Sequence, residues 1–293
     1  DKLCYEKTTI IEDLHIKKWL SSEFSDQYKT LQQIDKEAYQ AFIDNVKMPL
    51  VMAALLQDIG HFHPDAQQIV KGIDGTLDPY RMLQIEDRKA LLQINYRETI
   101  KFLSEGIGAP TYVGNSKTDR DKFNLAEHKK LLFIKSLLKN AIAPKQGIGN
   151  LLKVPQIYTS IILSTKASYN FKLLPKVYQA LNQNAERGTC SQLVVDGLRA
   201  ITGDYPQGFG ITYIPVDSDG KKGEQYEYAV VNSLYPIKIQ HPHCRTATRN
   251  LSFVSHGQDI IISIESNLHN THTAKLFASI SKDRLNEILT LLS

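Results

Sequence analysis

The spacing of apolar residues changes near Gly203, and this change limits most strongly how the chain can fold. Upstream, apolar side chains recur every three or four residues, as on one face of an α-helix. Downstream, short segments rich in Val, Ile and Tyr are separated by Gly and Asp, as in strands joined by turns. The pattern therefore predicts a mainly α protein with a helical domain at residues 1–202, a small β subdomain at 203–270 and a C-terminal helical extension at 271–293.

Apolar periodicity and capping residues place the predicted helices. The segment after Pro49 is apolar nearly all round, which predicts a helix in the centre of the domain. Asp78 is a predicted N-cap, with Pro79 in the first helical position. The predicted helices are Gln27–Val46, Pro49–Leu56, Tyr80–Leu103, Leu125–Leu138, Ile157–Leu163, Leu174–Leu181, Cys190–Ile201 and Ser281–Leu292.

Strand-like composition begins after the last long helical segment. Strands are predicted at Phe209–Val216 and Tyr226–Val231, and the Asp- and Gly-rich stretch Asp217–Gly223 reads as the hairpin turn between them. Two further short strands are predicted at Cys244–Thr248 and Ile260–Ile264.

Composition excludes several classes of protein. Hydrophobic residues make up 42% of the 293 residues, which is too high for a disordered chain. No apolar run reaches the roughly 18 residues that a membrane-spanning helix needs. The polar stretch Asp1–Glu12 lacks the apolar core of a signal peptide. Because the chain starts with Asp, we interpret it as a fragment or processed form, whose upstream part would hold targeting or sensor sequences.

Charge and cysteine content indicate which partners and which cellular compartment to expect. The net charge is +4 and the lysines are scattered, whereas nucleic-acid binding usually requires a clustered basic surface. The three cysteines, Cys4, Cys190 and Cys244, are far apart and form neither a disulfide framework nor a zinc knuckle. A reducing cytoplasm is the expected location.

The most informative stretch is Ala53–His61, which reads Ala-Ala-Leu-Leu-Gln-Asp-Ile-Gly-His. It resembles the core signature of HD-superfamily phosphohydrolases, in which a buried helix ends in Leu-Leu-His-Asp-Ile-Gly. In that family the His-Asp pair, a His upstream and an Asp on a later helix hold a metal, whose bound water attacks a phosphoester. The order of segments is similar to the HD-GYP branch, which hydrolyses cyclic di-GMP in bacterial signalling. Tyr205–Gly208 resembles the start of the β appendage there, so the resemblance covers about Ser25–Arg249.

Two of the implied metal ligands are replaced in this chain. Gln57 stands where the family has the His of the pair, and Gln156 stands at the expected position of the closing Asp. Only Asp58 carries over. A neutral amide is a poor ligand for a transition metal, and a catalytic centre needs about three protein ligands. The resemblance therefore implies a scaffold whose active site is degenerate.

A rearranged metal site is the alternative interpretation. Asp58, His61 and His63 would be its ligands, with His128 or Glu127 replacing the function of the lost histidine. Mixed histidine and carboxylate ligands suit iron, manganese or zinc. In the simpler interpretation, the aspartate caps or hydrogen-bonds a helix end, and the two nearby histidines are polar residues of a turn.

A second histidine group follows in the β subdomain. His241 and His243 are predicted to share one strand face, with Cys244 pointing away. The group is open to two interpretations, a metal site or exposed loop histidines. Its downstream members are His256, His269 and His272.

These observations lead to a function with a stated alternative. We expect a non-catalytic HD-GYP-like signalling module in the bacterial cytoplasm, binding a protein partner or a cyclic dinucleotide. No nucleic acid, membrane span or cofactor is expected, and a homodimer is left open. The alternative is a metal-dependent phosphohydrolase, acting as a cyclic dinucleotide phosphodiesterase, with a divalent Fe, Mn or Zn ion.

Overall fold

The chain divides into two compact units, which are described separately. The helical unit extends to Ser160 and also contains Asn184–Val194. The sheet unit contains Asn170–Gln183 and the chain from Val195 onward. The computed structural model describes residues 33, 35–145, 147–163, 169, 171–216, 219–221, 223, 225–250 and 252–269.

The predicted fold class is confirmed: the described residues are mainly helical, and a small antiparallel sheet follows the helices along the chain. The predicted helix Ser281–Leu292 and the extension 271–293 lie outside the described residues. The boundary predicted between residues 202 and 203 stays a prediction. The α-helices are α1 Lys36–Phe42, α2 Met48–Leu56, α3 Pro64–Lys71, α4 Ile85–Lys101, α5 Lys117–Ile142, α6 Asn150–Ile162, α7 Val177–Glu186 and α8 Gln192–Thr202.

Shorter helical turns connect several of these elements. Two are π-helical: Ile43–Lys47 joins α1 to α2 without a break, and Phe102–Ile107 extends the end of α4. Two are 3-10 helical, at Ile59–Phe62 and Phe171–Lys176. The first 3-10 turn carries the end of the HD-like motif, so its packing positions the candidate site.

The helix after Pro49 is present, but the prediction that it is central is wrong. Pro49 and Ala53 are buried on one face of α2, whereas Leu55 on another face is 78% exposed. That outer face lines an apolar groove of about 610 Å³ beside α5. An all-round apolar sequence shows that a helix can be buried, but not how many neighbours cover it.

The helix predicted to start at Asp78 and Pro79 begins later, at Ile85. The Asp78 carboxylate accepts a hydrogen bond from the Tyr80 backbone N–H at 2.9 Å, so it stabilises a local turn. Asp followed by Pro suits a turn as well as a helix start, because the side chain of Asp can bond the backbone two residues on.

The core of the helical unit lies between the first helices and the long helix α5. Ser116 caps α5 by accepting a hydrogen bond from the Asp119 N–H at 3.3 Å. The inward face of α5 then repeats at helical spacing, with Phe133, Ile134 and Leu137 buried. The core residues are Phe42, Val46, Ala53, Leu103, Phe133, Ile134, Leu137, Leu138, Ile148 and Leu152.

The sheet unit holds a four-stranded antiparallel sheet of order β1-β2-β3-β6 and a two-stranded ribbon of β4 and β5. Ile211 pairs with Ala229, and Cys244 pairs with Ile260. The strand predicted at Cys244–Thr248 is divided, because β3 ends at Thr246. The strands are β1 Gly210–Tyr213, β2 Glu227–Val231, β3 His243–Thr246, β4 Thr248–Arg249, β5 Ser252–Phe253 and β6 Asp259–Ile261.

Among the described residues, each helix is too short or too polar to cross a bilayer.

The contrast between Leu137 and Leu55 gives a direct test of the packing. Leu137 is fully buried, so Leu137→Ala should lower the free energy of unfolding by about 2–5 kcal/mol. Leu55→Ala is the matched control, because its side chain is mostly exposed, and it should change that free energy by less than about 0.5 kcal/mol. Urea denaturation of both variants measures the difference, and equal losses would show that α2 is buried on both faces.

Candidate functional site

The HD-like motif ends in a tight turn packed against α4. After α2 ends at Leu56, Gln57 and Asp58 lead into the 3-10 turn Ile59–Phe62. Gly60 lies against the backbone of Asn95, and a Cβ built on it would lie 2.2 Å from the Asn95 carbonyl oxygen. Only glycine therefore fits at this close approach of two backbones.

Asn95 and Thr99 of α4 fix the turn by hydrogen bonds. The Asn95 side-chain amide donates to the Gln57 carbonyl and to the Asp58 carboxylate, each at 3.1 Å. The Gly60 N–H donates to the Thr99 hydroxyl at 3.1 Å. The bond between Gly60 and Thr99 is buried, whereas the two bonds of the Asn95 amide are partly buried, because Asp58 is exposed. Together the three bonds fix the turn against α4.

The residues at the degenerate ligand positions lie in one small cleft of the helical unit. Gln57, Asp58 and Gln156 line a cavity of about 230 Å³, together with Asn95 and Lys153. We call this the Lys153 cleft. Gln57 and Gln156 are 99 positions apart in the sequence numbering but share this cavity.

Lys153 brings a positive charge into this cleft. Its side chain is largely covered, and it makes no side-chain hydrogen bond or ion pair with the described residues. Burial, and then repulsion by Arg88, lower the pKa of the Lys153 ammonium, while attraction by Asp58 opposes this shift. Because Asp58 offsets only part of the cost of burial, a negatively charged ligand would stabilise this ammonium further.

The donor set of the cleft does not fit a metal ion. The Gln57 side-chain amide donates a hydrogen bond to the Ala54 carbonyl at 3.1 Å, so it already bonds the last turn of α2. One oxygen of Asp58 already accepts a hydrogen bond from Asn95. Lys153 adds a positive charge that would repel a divalent cation. A single carboxylate with four side-chain amides and an ammonium suits an anion or a polar organic group better than a metal.

The two motif histidines lie outside the lining of the Lys153 cleft. His61 belongs to the 3-10 turn, and its Nε2 is buried without a hydrogen-bond partner among the described residues. His63 is the N-cap of α3, where its Nδ1 accepts from the Asp65 N–H at 3.3 Å. Its Nε2 is 3.8 Å from Glu98. His63 thus has the structural role that the sequence left open beside metal binding.

Glu98 is the carboxylate nearest to the Nε2 atom of His63 among the ion pairs described above. A hydrogen bond from Arg97 at 2.6 Å, followed by the nearby positive charges of His63, Arg97 and Lys101, holds the pKa of Glu98 below its usual value. The carboxylate is therefore already compensated. His63 and Glu98 line a separate cavity of about 520 Å³.

Glu127 and His128, which were predicted to complete a rearranged metal site, also lie outside the lining of the Lys153 cleft. Glu127 is paired with Lys130 at 2.7 Å and lines the apolar groove beside α2. His128 is exposed on α5. Within the described ranges, no three His, Cys, Asp or Glu side chains are gathered as metal ligands would be.

The second histidine group is dispersed in the sheet unit. His241 precedes the strand β3, which begins at His243, so the prediction that both share a strand face is wrong. Cys244 is fully buried, and burial raises the pKa of its thiol to about 12, which keeps it protonated. Burial lowers the pKa of His269 to about 4. His272 lies outside the described residues.

Sequence reasoning missed Lys153 and Asn95, which together define the cleft. A signal for Lys153 was present, because it stands three positions before Gln156, and residues at that spacing share a helix face. Asn95 had no such signal. Its role depends on the packing of α4 against the turn after α2, which is a contact between segments far apart in the sequence.

The bonds of Asn95 give a prediction about stability. Asn95→Ala should lower the free energy of unfolding by about 1–3 kcal/mol, because the partly buried Gln57 carbonyl would keep only the longer bond from the Thr99 hydroxyl at 3.4 Å. Gln93→Ala is the control, since Gln93 lines the same cleft but is exposed. Denaturant titration compares the two, and an equal effect would contradict the anchoring role.

No family model, curated protein or solved structure matches this chain. A proposal about function therefore rests on the side chains of the Lys153 cleft and on the sequence of Ala53–His61.

Proposed function

We propose that the protein is a non-catalytic HD-GYP-like signalling module of the bacterial cytoplasm, which binds a nucleotide ligand or a protein partner without turning it over. The observation that carries this proposal is the composition of the Lys153 cleft. At the positions where the resemblance implies metal ligands, the chain presents Gln57 and Gln156, with the ammonium of Lys153 beside them.

Binding without hydrolysis follows from what an ammonium can and cannot do. Lys153 can attract a phosphate oxygen and donate hydrogen bonds to it. It does not supply what a metal ion supplies in hydrolysis, namely a bound water whose pKa falls to near neutrality. Asp58 is exposed and shares its carboxylate with Asn95, so it is suited to accept a hydrogen bond from a ligand.

The size of the cleft limits which part of a ligand it holds. A cavity of about 230 Å³ accommodates one phosphate group or one base, with the remainder of a dinucleotide outside. The amides of Gln57, Asn95 and Gln156 offer both donors and acceptors, which matches the edge of a base or a ribose hydroxyl. A cyclic dinucleotide is therefore the small ligand we test first.

Binding should depend on the charge of Lys153. In calorimetric titrations with a panel of cyclic dinucleotides, we expect the wild type to bind at least one member. Lys153→Met should weaken that binding about tenfold or more, because it removes a charged hydrogen bond worth about 1.5–3 kcal/mol. Lys153→Arg, which keeps the charge, should retain most of the affinity.

Product analysis of the same mixtures, with Mn²⁺ or Fe²⁺ added, completes this test. We expect the dinucleotide to remain intact. Hydrolysis that is lost in Asp58→Ala would contradict the proposal and favour the phosphohydrolase. Equal affinity of wild type and Lys153→Met would show that the dinucleotide binds outside the Lys153 cleft. If wild type binds no dinucleotide, a scaffold that binds a protein partner would be favoured.

The covered ammonium also predicts how stability depends on pH. The pKa of Lys153 is lowered in the folded protein, so the unfolded chain holds this proton more tightly. The cost of the buried charge is complete below the folded pKa, and it is relieved as the pH rises from there through the ordinary value of 10.5. Lys153→Met should therefore melt at a higher temperature than wild type at pH 8.

The melting temperatures of the two proteins should approach each other near pH 10.5. Lys139→Met provides a matched control, because Lys139 is exposed on α5 and should show no such pH-dependent difference. Calorimetry at both pH values measures the effect. A Lys153→Met variant that melts below wild type at pH 8 would show that the ammonium is compensated.

A further inference from the structure

A cavity of about 980 Å³ lies in the sheet unit, where β1 ends and β2 begins. Three of the side chains that line it are polar and buried: Tyr213 of β1 is 8% exposed, Glu227 of β2 is 5% exposed and Thr248 of β4 is 2% exposed. We call this the Glu227 cavity. Its volume lies within the range of about 300–1,000 Å³ that is typical of sites for small molecules.

The register of the sheet brings two of these side chains together. Tyr213 and Glu227 are paired directly across β1 and β2. Because the side chains of directly paired residues lie on the same face of a sheet, the phenol and the carboxylate belong to one wall of the cavity. The sheet itself therefore sets their spacing.

Thr248 orients the carboxylate of Glu227. The Tyr228 backbone N–H donates to the Thr248 hydroxyl oxygen at 2.9 Å, and that hydroxyl donates its proton to Oε2 of Glu227. A threonine hydroxyl has a single proton, so Thr248 serves this carboxylate alone as a donor. A carboxylate offers about four acceptor positions, of which this bond uses one.

Tyr213 adds a hydroxyl that makes no hydrogen bond with the described residues. Burial first, and then repulsion by the charge of Glu227, raises the pKa of this phenol to about 12, so it keeps its proton. Buried polar side chains in folded proteins nearly always have a hydrogen-bond partner. A buried hydroxyl that lacks one at the wall of a cavity indicates that a ligand supplies it.

The remaining lining limits the shape and charge of that ligand. Much of the wall is aliphatic, including Val216, Val254, Ile260 and Ile261. Arg249 and His256 also line the cavity, but both are exposed, so water screens their charges. The charge of the buried Glu227 is screened much less. The cavity therefore combines one buried negative charge with an apolar wall.

We propose that the Glu227 cavity binds a small organic cation, namely an ammonium group carried on an aliphatic body. An ammonium has three N–H donors and no acceptor, which matches a carboxylate beside a hydroxyl oxygen. Glu227 would accept one of its hydrogen bonds, Tyr213 would accept a second, and the aliphatic wall would cover the body of the ligand. The inference does not depend on the proposed function, because the Lys153 cleft is lined by residues of the helical unit.

The same features disfavour other ligands. The buried charge of Glu227 repels an anion, and a neutral molecule gains no ion pair with it. A divalent metal ion such as Ca²⁺ takes about six to eight oxygen ligands, several of them carboxylates or carbonyls. Among the described residues, Glu227 is the only carboxylate in the lining of this cavity.

The test uses the full chain and three probes of equal length that differ in charge: n-hexylamine, 1-hexanol and hexanoate. In calorimetric titrations at neutral pH, where the amine is protonated, we expect n-hexylamine to bind about tenfold more tightly than 1-hexanol, because only the amine forms a charged hydrogen bond. Hexanoate should not bind. Glu227→Gln should weaken the binding of n-hexylamine about tenfold, to the level of 1-hexanol, because it removes the charge and keeps the shape.

Tyr213→Phe tests the second contact and removes a single oxygen atom. It should weaken the binding of n-hexylamine about threefold, as the loss of one hydrogen bond does. Tyr226→Phe is the matched control, because Tyr226 lies outside the lining of the cavity and its substitution should leave binding unchanged. Circular dichroism shows whether Glu227→Gln is folded, and if it is not, the two tyrosine variants decide the test.

Three results would overturn the proposal: no binding of n-hexylamine by wild type, equal affinity for n-hexylamine and 1-hexanol, or amine binding that neither Glu227→Gln nor Tyr213→Phe weakens.

Discussion

The contact between the end of α2 and the face of α4 is the constraint on which the candidate site depends. Asn95 ties the Gln57 carbonyl and the Asp58 carboxylate to α4 through one buried amide, and Gly60 allows the two backbones to meet. These partly buried bonds join two segments that are far apart in the sequence, so they set where the end of the motif lies against α4.

The anchored turn holds Asp58 beside a cleft whose other polar groups are side-chain amides and one ammonium. Burial lowers the pKa of Lys153, and the attraction of Asp58 offsets only part of this shift. A negatively charged ligand would stabilise the ammonium further, and this is the physical argument for the proposed anion binding.

Sequence patterns predicted the type of most elements, because helix and strand periods depend on local spacing. They failed where the outcome depends on distant neighbours. The apolar helix α2 has an exposed face because only one side meets α5, and Asp78 stabilises a turn because the chain does not become helical until Ile85. Gln57 and Gln156 line one cavity, which depends on how α6 packs beside the turn after α2. Lys153 was overlooked, although its spacing from Gln156 placed it on the same helix face.

The central proposal is that the Lys153 cleft, with one carboxylate and one ammonium, binds an anion and holds no metal ion. Elemental analysis of the full chain, purified without chelators from cells supplied with iron, manganese and zinc, tests it most directly. We predict far less than one metal ion per chain and a melting temperature that EDTA does not change, since a metal held in a helical core would stabilise the fold. Stoichiometric metal that is lost in Asp58→Ala would contradict it.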